Sequence, residues 1–334
     1  MALPKYLFLI TGFWILIGLN PPMRNYKISG YAQGTSYNIS YFATDSVVTK
    51  TQIDSILNVI DLSMSLYKPN STIVSFNNAE KGIVIDQHFA NVFKKSQTIN
   101  RETNGIFDVT IAPLVQYWGF GPKPVTREEQ EQPVKEILAQ VGMNKVRLSG
   151  NLLQKSNPKV TIDLNGIAQG YTVDVIADFF EKGKIKSYVV EVGGEIRAKG
   201  PKPDGKLMRI GIEGPSENDF TEPAIKHIIE FKEGAVTTSG NYRKFISKGD
   251  KKISHLINPK TGYPFQNEMI SVTVFAKRAI DADGYDNALM GMGLKEAMKF
   301  LAKKKNLEAY IIYKNKDGKI TDTLTSGFKR MIVK

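Results

Sequence analysis

"KVTIDLNGIAQGYTVDVIADFFEKGKIKSYVVEVGGEIRAKG", residues 159–200, decides the fold class. It reads as a strand ending at Asp163, a turn at Gly166, and a helix from about Ile167 to Phe180. The tail, "SYVVEVGGEIRAKG", predicts a hairpin around Gly193-Gly194. A helix that leads back into a hairpin, not into one parallel strand, breaks a regular βαβ alternation. The expected class is therefore α+β, with mainly antiparallel sheets and packed helices.

The flanking sequence follows the same mixed pattern. "YKISGYAQGTSYNISYF" predicts two short strands around a glycine-containing turn. Val48, Ile53, Ile56, Leu57 and Ile60 recur at helical spacing between Ser46 and Leu66, and Pro69-Asn70 ends that run. A helix is expected from His88 to Glu102. "NGIFDVTIAPLVQYWGFGP" predicts a strand or turn leading into a short apolar helix, and Arg127–Val141 a polar surface helix. Strands are expected at Met208–Ile212, Ile225–Phe231, Ile270–Phe275 and "EAYIIYK". Helices are expected to start near Asp283 and to cover Leu294–Lys304.

Composition excludes several chemistries. The chain of 334 residues has no cysteine, which removes disulfides, thiolate metal sites, a cysteine nucleophile and a lipidated N-terminal cysteine. The net charge of +12 comes from scattered lysines, without a basic stripe interleaved with aromatics. That argues against nucleic acid and is compatible with an anionic ligand such as a dinucleotide. The leader "MALPKYLFLITGFWILIGLNPPMR" carries one lysine before an uncharged apolar run from Tyr6 to Leu19. This length suits a signal peptide better than a full membrane span; an uncleaved anchor is the alternative, and the preceding lysine and lack of a polar face argue against a buried core helix. Residues 1–22 are thus expected to be a leader or anchor and 23–334 one extracytoplasmic domain, free or held at the membrane.

Four stretches hold candidate chemistry. In "DADGYDNALMGMG", Asp283, Asp286 and Asn287 stand at i, i+3 and i+4, on one helical face. They could supply oxygen ligands to a hard cation, or they could belong, with Asp281, to a cap and acidic first turn. In "TIDLNGIAQGY", a glycine turn enters a helix whose N–H groups could face an anion; Asp163 would contact a base or ribose, or simply cap. In "SHLINPKTGYPF", His255 precedes a tight turn and is either a general base or structural. In "NGIFDVTIAPLVQYWGFG", Asp108 and Thr110 interrupt an apolar run, and Tyr117, Trp118 and Phe120 pack a ligand or the core.

Together with "GYAQGTSY", "SLYKPNSTIVSFN" and "VEVGGEIRAKG", these stretches resemble, in this order, the ApbE family of flavin transferases (FAD:protein FMN transferases). The resemblance runs from about Tyr26 to the C-terminus. It implies a T-fold-like architecture and an exported Mg2+-dependent enzyme. Such an enzyme splits the FAD pyrophosphate, joins FMN through a phosphoester to a threonine or serine of an acceptor protein, and releases AMP. The implied acceptors are flavin-carrying subunits of membrane redox complexes or extracytoplasmic electron carriers. By motif match, Gly166 (through its backbone oxygen), Asp283, Asp286 and Asn287 would hold the metal. Gln33, Tyr67, Asp108, Val109, Thr110, Asp163, Gln169 and Ile257 would contact FAD, and His255 would be the base. Gln33, Gln169, Asn258 and Asn287 depart from the family's frequent methionine, lysine or glutamate, aspartate and threonine. An FAD pyrophosphatase and a non-catalytic FAD-binding protein are the competing readings. "DTLTSGF" (322–328) faintly resembles the family's acceptor motif, Asp-x-x-Ser/Thr-Gly/Ser-Ala-Thr/Ser, but is read as a C-terminal strand and turn.

Overall fold

The computed structural model describes residues 21–125, 133–214, 224–241, 245–248 and 251–333, with the backbone alone at 245–248 and 251–253. The leader and the first part of the expected helix at Arg127–Val141 lie outside the described residues. No described helix is long and apolar enough to cross a membrane.

The chain opens with the hairpin β1 (Arg24–Ala32) and β2 (Thr35–Ala43). Gln33 and Gly34 both have positive φ, as a two-residue hairpin turn of this hand requires. Next come α1 (Lys50–Met64), α2 (Thr72–Asn78), β3 (Gly82–Val84), α3 (Gln87–Glu102), α4 (Ala112–Tyr117) and α5 (Val134–Leu138). Thr49 and Gln52 form a capping box on α1, and Asp86 caps α3. Strands β4 (Val146–Ser149) and β5 (Leu152–Lys155) pair with β3 in a small sheet ordered β3-β5-β4.

Helix α6 (Ala168–Lys182) leads into β6 (Tyr188–Val192) and β7 (Glu195–Lys199), the expected hairpin. Then follow β8 (Met208–Glu213), β9 (Ile225–Phe231), β10 (Glu233–Gly240), β11 (Phe245–Lys248), β12 (Lys251–Ser254) and β13 (Met269–Ala276). The chain closes with α7 (Ala279–Met292), α8 (Leu294–Leu301), β14 (Glu308–Lys314), β15 (Ile320–Leu324), α9 (Ser326–Met331) and β16 (Ile332–Val333).

The main sheet runs β1-β2-β6-β7-β10-β13-β14-β15, and every neighbouring pair is antiparallel. It has two similar halves. In each, a hairpin, then helices, then a second hairpin follow in the chain, which accords with the expected T-fold-like plan. One face carries α6 and α7 and the largest core, including Ile167, Val272, Val274, Leu289 and Ile311. Against the other face β8, β9 and β16 form a sheet of their own over Phe231, Tyr310 and Phe328. Covered on both sides, β13 and β14 are almost wholly buried, in keeping with their β-branched sequences.

Three expectations need correction. Residues 160–164 join no sheet. Asn77 occupies the pairing position instead: its side chain donates to Ile162 O (2.9 Å) and accepts from Ile162 N (2.8 Å). Helix α7 begins at Ala279, so Asp283 and Asp286 lie inside the helix and not in its cap. Asp281 is no cap either; it pairs with Lys95 at 2.6 Å. The stretch read as a C-terminal strand and turn does contain the end of strand β15, but its turn is the entry to helix α9, where Thr325 is the N-cap and also donates to Glu308.

Helices α6 and α7 have no side-chain cap of their own and cap each other. Asp174 of α6 accepts from Ala279 N (3.1 Å) and Ile280 N (3.0 Å) at the start of α7. Asp283 of α7 accepts from Gly170 N (2.8 Å) in the first turn of α6. Asp174 is fully buried and also pairs with Arg197 (3.0 Å) and Arg278 (3.2 Å). Arg197, itself buried, reaches Asp178 and Glu181 as well. Removing one partner of a buried ion pair leaves an uncompensated charge. Asp174→Ala is therefore expected to lower the unfolding free energy by about 3 kcal/mol in chemical denaturation, whereas Lys50→Ala, in an exposed pair with Asp54, leaves it nearly unchanged.

Candidate active site

The mutual capping brings α7 so close to α6 that only glycine fits between them. A Cβ at Gly170 would stand 2.7 Å from the Cβ of Asp283 and closer still to Ala279 O. This contact fixes where the two aspartates point. Asp283 is 4% exposed and Asp286 1%. Thr237 on β10 donates to Asp286 Oδ2 at 2.6 Å, and Ser239, two residues on and so on the same strand face, donates to Asn287 Oδ1 at 3.1 Å. Burial pushes the pKa of both carboxyls up, and the charge of Asp283 pushes Asp286 further; the bonds from Gly170 and Thr237 pull back.

Asn287 completes the cluster. Its Nδ2 donates towards Gly166 O (3.3 Å), Asp283 O (3.0 Å) and Asp286 Oδ1 (3.0 Å). Three oxygens thus converge on one atom position. The donor set is all oxygen, and among the described residues no group of three His, Cys, Asp or Glu could hold a metal. One carboxylate oxygen of Asp286 and two main-chain carbonyls, with the Asp283 carboxylate charge close by, suit a hard cation such as Mg2+, which leaves part of its shell to water and phosphate; they do not suit zinc. By this test the residues fit the implied metal.

In front of the cluster lies a cavity of about 340 Å³. Its wall includes Tyr67, Asp108, Val109, Asp163, Gly166, His255, Ile257 and Asn287, that is, most of the residues the resemblance implies. Phe107, Phe120 and Phe265 add aromatic surface. A second cavity of about 620 Å³ adjoins it and shares Tyr67, Val115 and Asp163. Asp108 accepts from Thr110 N (2.8 Å), Thr110 Oγ1 (2.6 Å) and Met143 N (3.2 Å), yet burial still raises its pKa. Thr110 is fully buried and accepts from Gly142 N, so its side chain orients Asp108 and does not line the cavity.

The loop 255–265 adds His255, Leu256, Ile257 and Phe265 to the wall. Asn258 N donates to Tyr263 O (2.8 Å), and Asn258 Oδ1 accepts from Lys260 N (2.9 Å). An aspartate could accept that second bond equally well, so this departure from the family pattern leaves the turn intact. His255 is half-buried, with the Phe120 ring edge-on at 6.2 Å. Asp163 is held by its N–H to Val109 O (2.8 Å), and its Oδ1 accepts from Asn165 N (2.7 Å). Behind it, Lys155 Nζ donates to the carbonyls of Asn77, Pro158 and Val160, each at 3.0 Å.

Gln33 and Gln169 stand apart from this wall. Gln33 Nε2, at the tip of the first hairpin, donates to Thr172 Oγ1 at 3.1 Å. Gln169 opens α6 beneath the Gly193 turn. The expected contacts therefore fall into two groups, those that line the cavity, with Thr110 orienting one of them, and the pair Gln33 and Gln169, which do not line it. Asp174, Thr237, Ser239 and Asn77 support the site and escaped the sequence reading. The hydroxyls of Thr237 and Ser239 at i and i+2 were a usable signal, because a strand places them on one face.

The fold and site define an enzyme centre in which a shielded oxygen cluster backs an aromatic-lined cavity with a histidine on its rim. Residues 33–311 match the model of the ApbE family, and the chain belongs to that family. It is 36% identical to an FAD:protein FMN transferase of Haemophilus influenzae, over 91% of either chain. It is 34% identical to the one from Vibrio cholerae, over 99% of either chain. The solved structure of the Vibrio cholerae flavin transferase ApbE superposes with a TM-score of 0.81 at 35% identity, covering 93% of this chain and all of that one.

Because the α6–α7 contact positions Asp283, Gly170→Ala is expected to cost about 2 kcal/mol of stability through overpacking. Melting followed by circular dichroism checks this, with Gly205→Ala, at an open turn position, as the milder reference.

Proposed function

We propose that this protein is a Mg2+-dependent FAD:protein FMN transferase. The observation that carries the reading is the aromatic-lined cavity, whose wall includes His255 and also Gly166 and Asn287, the latter bonded to one of two buried aspartates. The names of its relatives supply the substrate. FAD would lie along the wall formed by Tyr67, Asp108, Val109, Asp163 and Ile257. The adjoining cavity extends that surface by enough for a dinucleotide.

In this reading, the hydroxyl oxygen of an acceptor threonine or serine forms a bond to the phosphorus on the FMN side of the pyrophosphate. The P–O bond to AMP breaks, AMP leaves, and His255 takes the hydroxyl proton. Gly166 O, Asp283, Asp286 and Asn287 would hold the metal. When bound there, Mg2+ supplies neutralisation of charge on the pyrophosphate. Phe107, Phe120 and Phe265 exclude water from the flavin or adenine side, which favours transfer over hydrolysis. The apolar leader supports an extracytoplasmic location, free or anchored at the membrane, where the acceptor would be a flavoprotein subunit or electron carrier.

The test is to mix the full chain with FAD, Mg2+ and a peptide bearing the acceptor motif. A peptide mass gain of one FMN, with AMP released, is expected. Free FMN without peptide labelling would identify a pyrophosphatase, and intact FAD a binding protein. Asp283→Asn keeps an acceptor for Gly170 N while removing the charge, and should abolish Mg2+-dependent turnover with the fold retained. His255→Ala should reduce kcat by about 100-fold or more while leaving FAD binding in place.

A further inference from the structure

We propose that Asn287 is a stopper: its carboxamide closes the two-aspartate centre against the cavity, and cation entry turns the amide over. This rests on the cation reading above. Of Asp283, Asp286 and Asn287, only Asn287 reaches the cavity wall. The aspartates lie behind it, 4% and 1% exposed.

The hydrogen bonds determine which end of the amide faces inward. Gly166 O, Asp283 O and Asp286 Oδ1 are 3.0–3.3 Å from one amide atom. The two carbonyls only accept, whatever the proton count of Asp286. An amide oxygen there would face both of them, whereas an NH2 group offers them two protons. The outer end meets Ser239 Oγ at 3.1 Å. A hydroxyl donates or accepts as required, so Ser239 is satisfied by either orientation. Half a turn of the amide would point Oδ1 at the three oxygens and Nδ2 at Ser239. That arrangement is repulsive unless a cation sits among the oxygens.

One side chain therefore has two settings. With the NH2 inward it plays the cation's part, holding the oxygens together. With Oδ1 inward it becomes a ligand. The first setting competes with the cation, so Asn287 weakens binding at this centre while keeping the empty cradle assembled. A threonine here would offer an oxygen with one proton in place of two, and would plug the cradle less well.

The test uses the full chain labelled with [15N]asparagine and titrated with MgCl2 alone. The Asn287 side-chain NH2 signal is identified by its loss in Asn287→Asp. Thermal melting in parallel reports binding. Expected are a Mg2+-dependent rise in Tm, a shift of the Asn287 NH2 signal with the same midpoint, and faster exchange of its protons with water. In Asn287→Thr, Mg2+ should bind about tenfold more tightly, on the scale of one lost hydrogen bond. A rise in Tm with an unmoved NH2 signal, or equal or weaker binding by Asn287→Thr, overturns the stopper. No Mg2+-dependent change in Tm in either protein overturns the cation reading itself, and the stopper with it.

Discussion

Two helices that cap one another hold this molecule in register. The first turn of any helix leaves backbone N–H groups without partners, and most helices recruit a residue just upstream. Here α6 and α7 recruit each other: Asp174 serves Ala279 and Ile280, and Asp283 serves Gly170. The bond is reciprocal in space and nearly so in sequence, since Asp174 stands four residues after Gly170 and Asp283 four after Ala279. Neither helix can shift along its axis without uncapping its partner. The oxygen cluster inherits that rigidity, because the residue that caps α6, Asp283, also gives its main-chain carbonyl to the cluster.

The same pair of helices lies at the seam between the two halves of the main sheet. The frame of hairpins and helices carries the aspartates, while the cavity wall comes from segments inserted into it. Residues between β2 and β6 provide Tyr67, Asp108, Val109 and Asp163, and residues between β10 and β13 provide His255 and Ile257. The buried aspartates thus sit on rigid elements, and much of the cavity wall sits on loops that the frame positions.

Much of this was legible in the sequence, for identifiable reasons. Strands such as Ile225–Phe231, and the Gly193-Gly194 hairpin, carry their periodicity and turn residues locally. The i, i+3, i+4 spacing of Asp283, Asp286 and Asn287 placed them correctly on one face, because spacing survives an error in where the helix starts. The start itself was misread: its cap comes from Asp174, 105 residues earlier, and no local pattern announces such a partner. Residues 160–164 have the composition of a strand but are paired by the Asn77 side chain, which again is a tertiary fact. The first residues of α7 are apolar and give no sign that a helix has begun, whereas the three aspartates that follow look like one.

Lys155 has a consequence of a different kind. Its ammonium has three protons, and each finds a carbonyl at 3.0 Å, although burial lowers its pKa. Carbonyl cages of this sort often belong to dissolved monovalent ions, whose occupancy follows the composition of the surroundings. Here the positive charge is tethered to the polypeptide. The wall that bears Asp163 therefore keeps its shape whether the medium is rich in sodium, rich in potassium or poor in both.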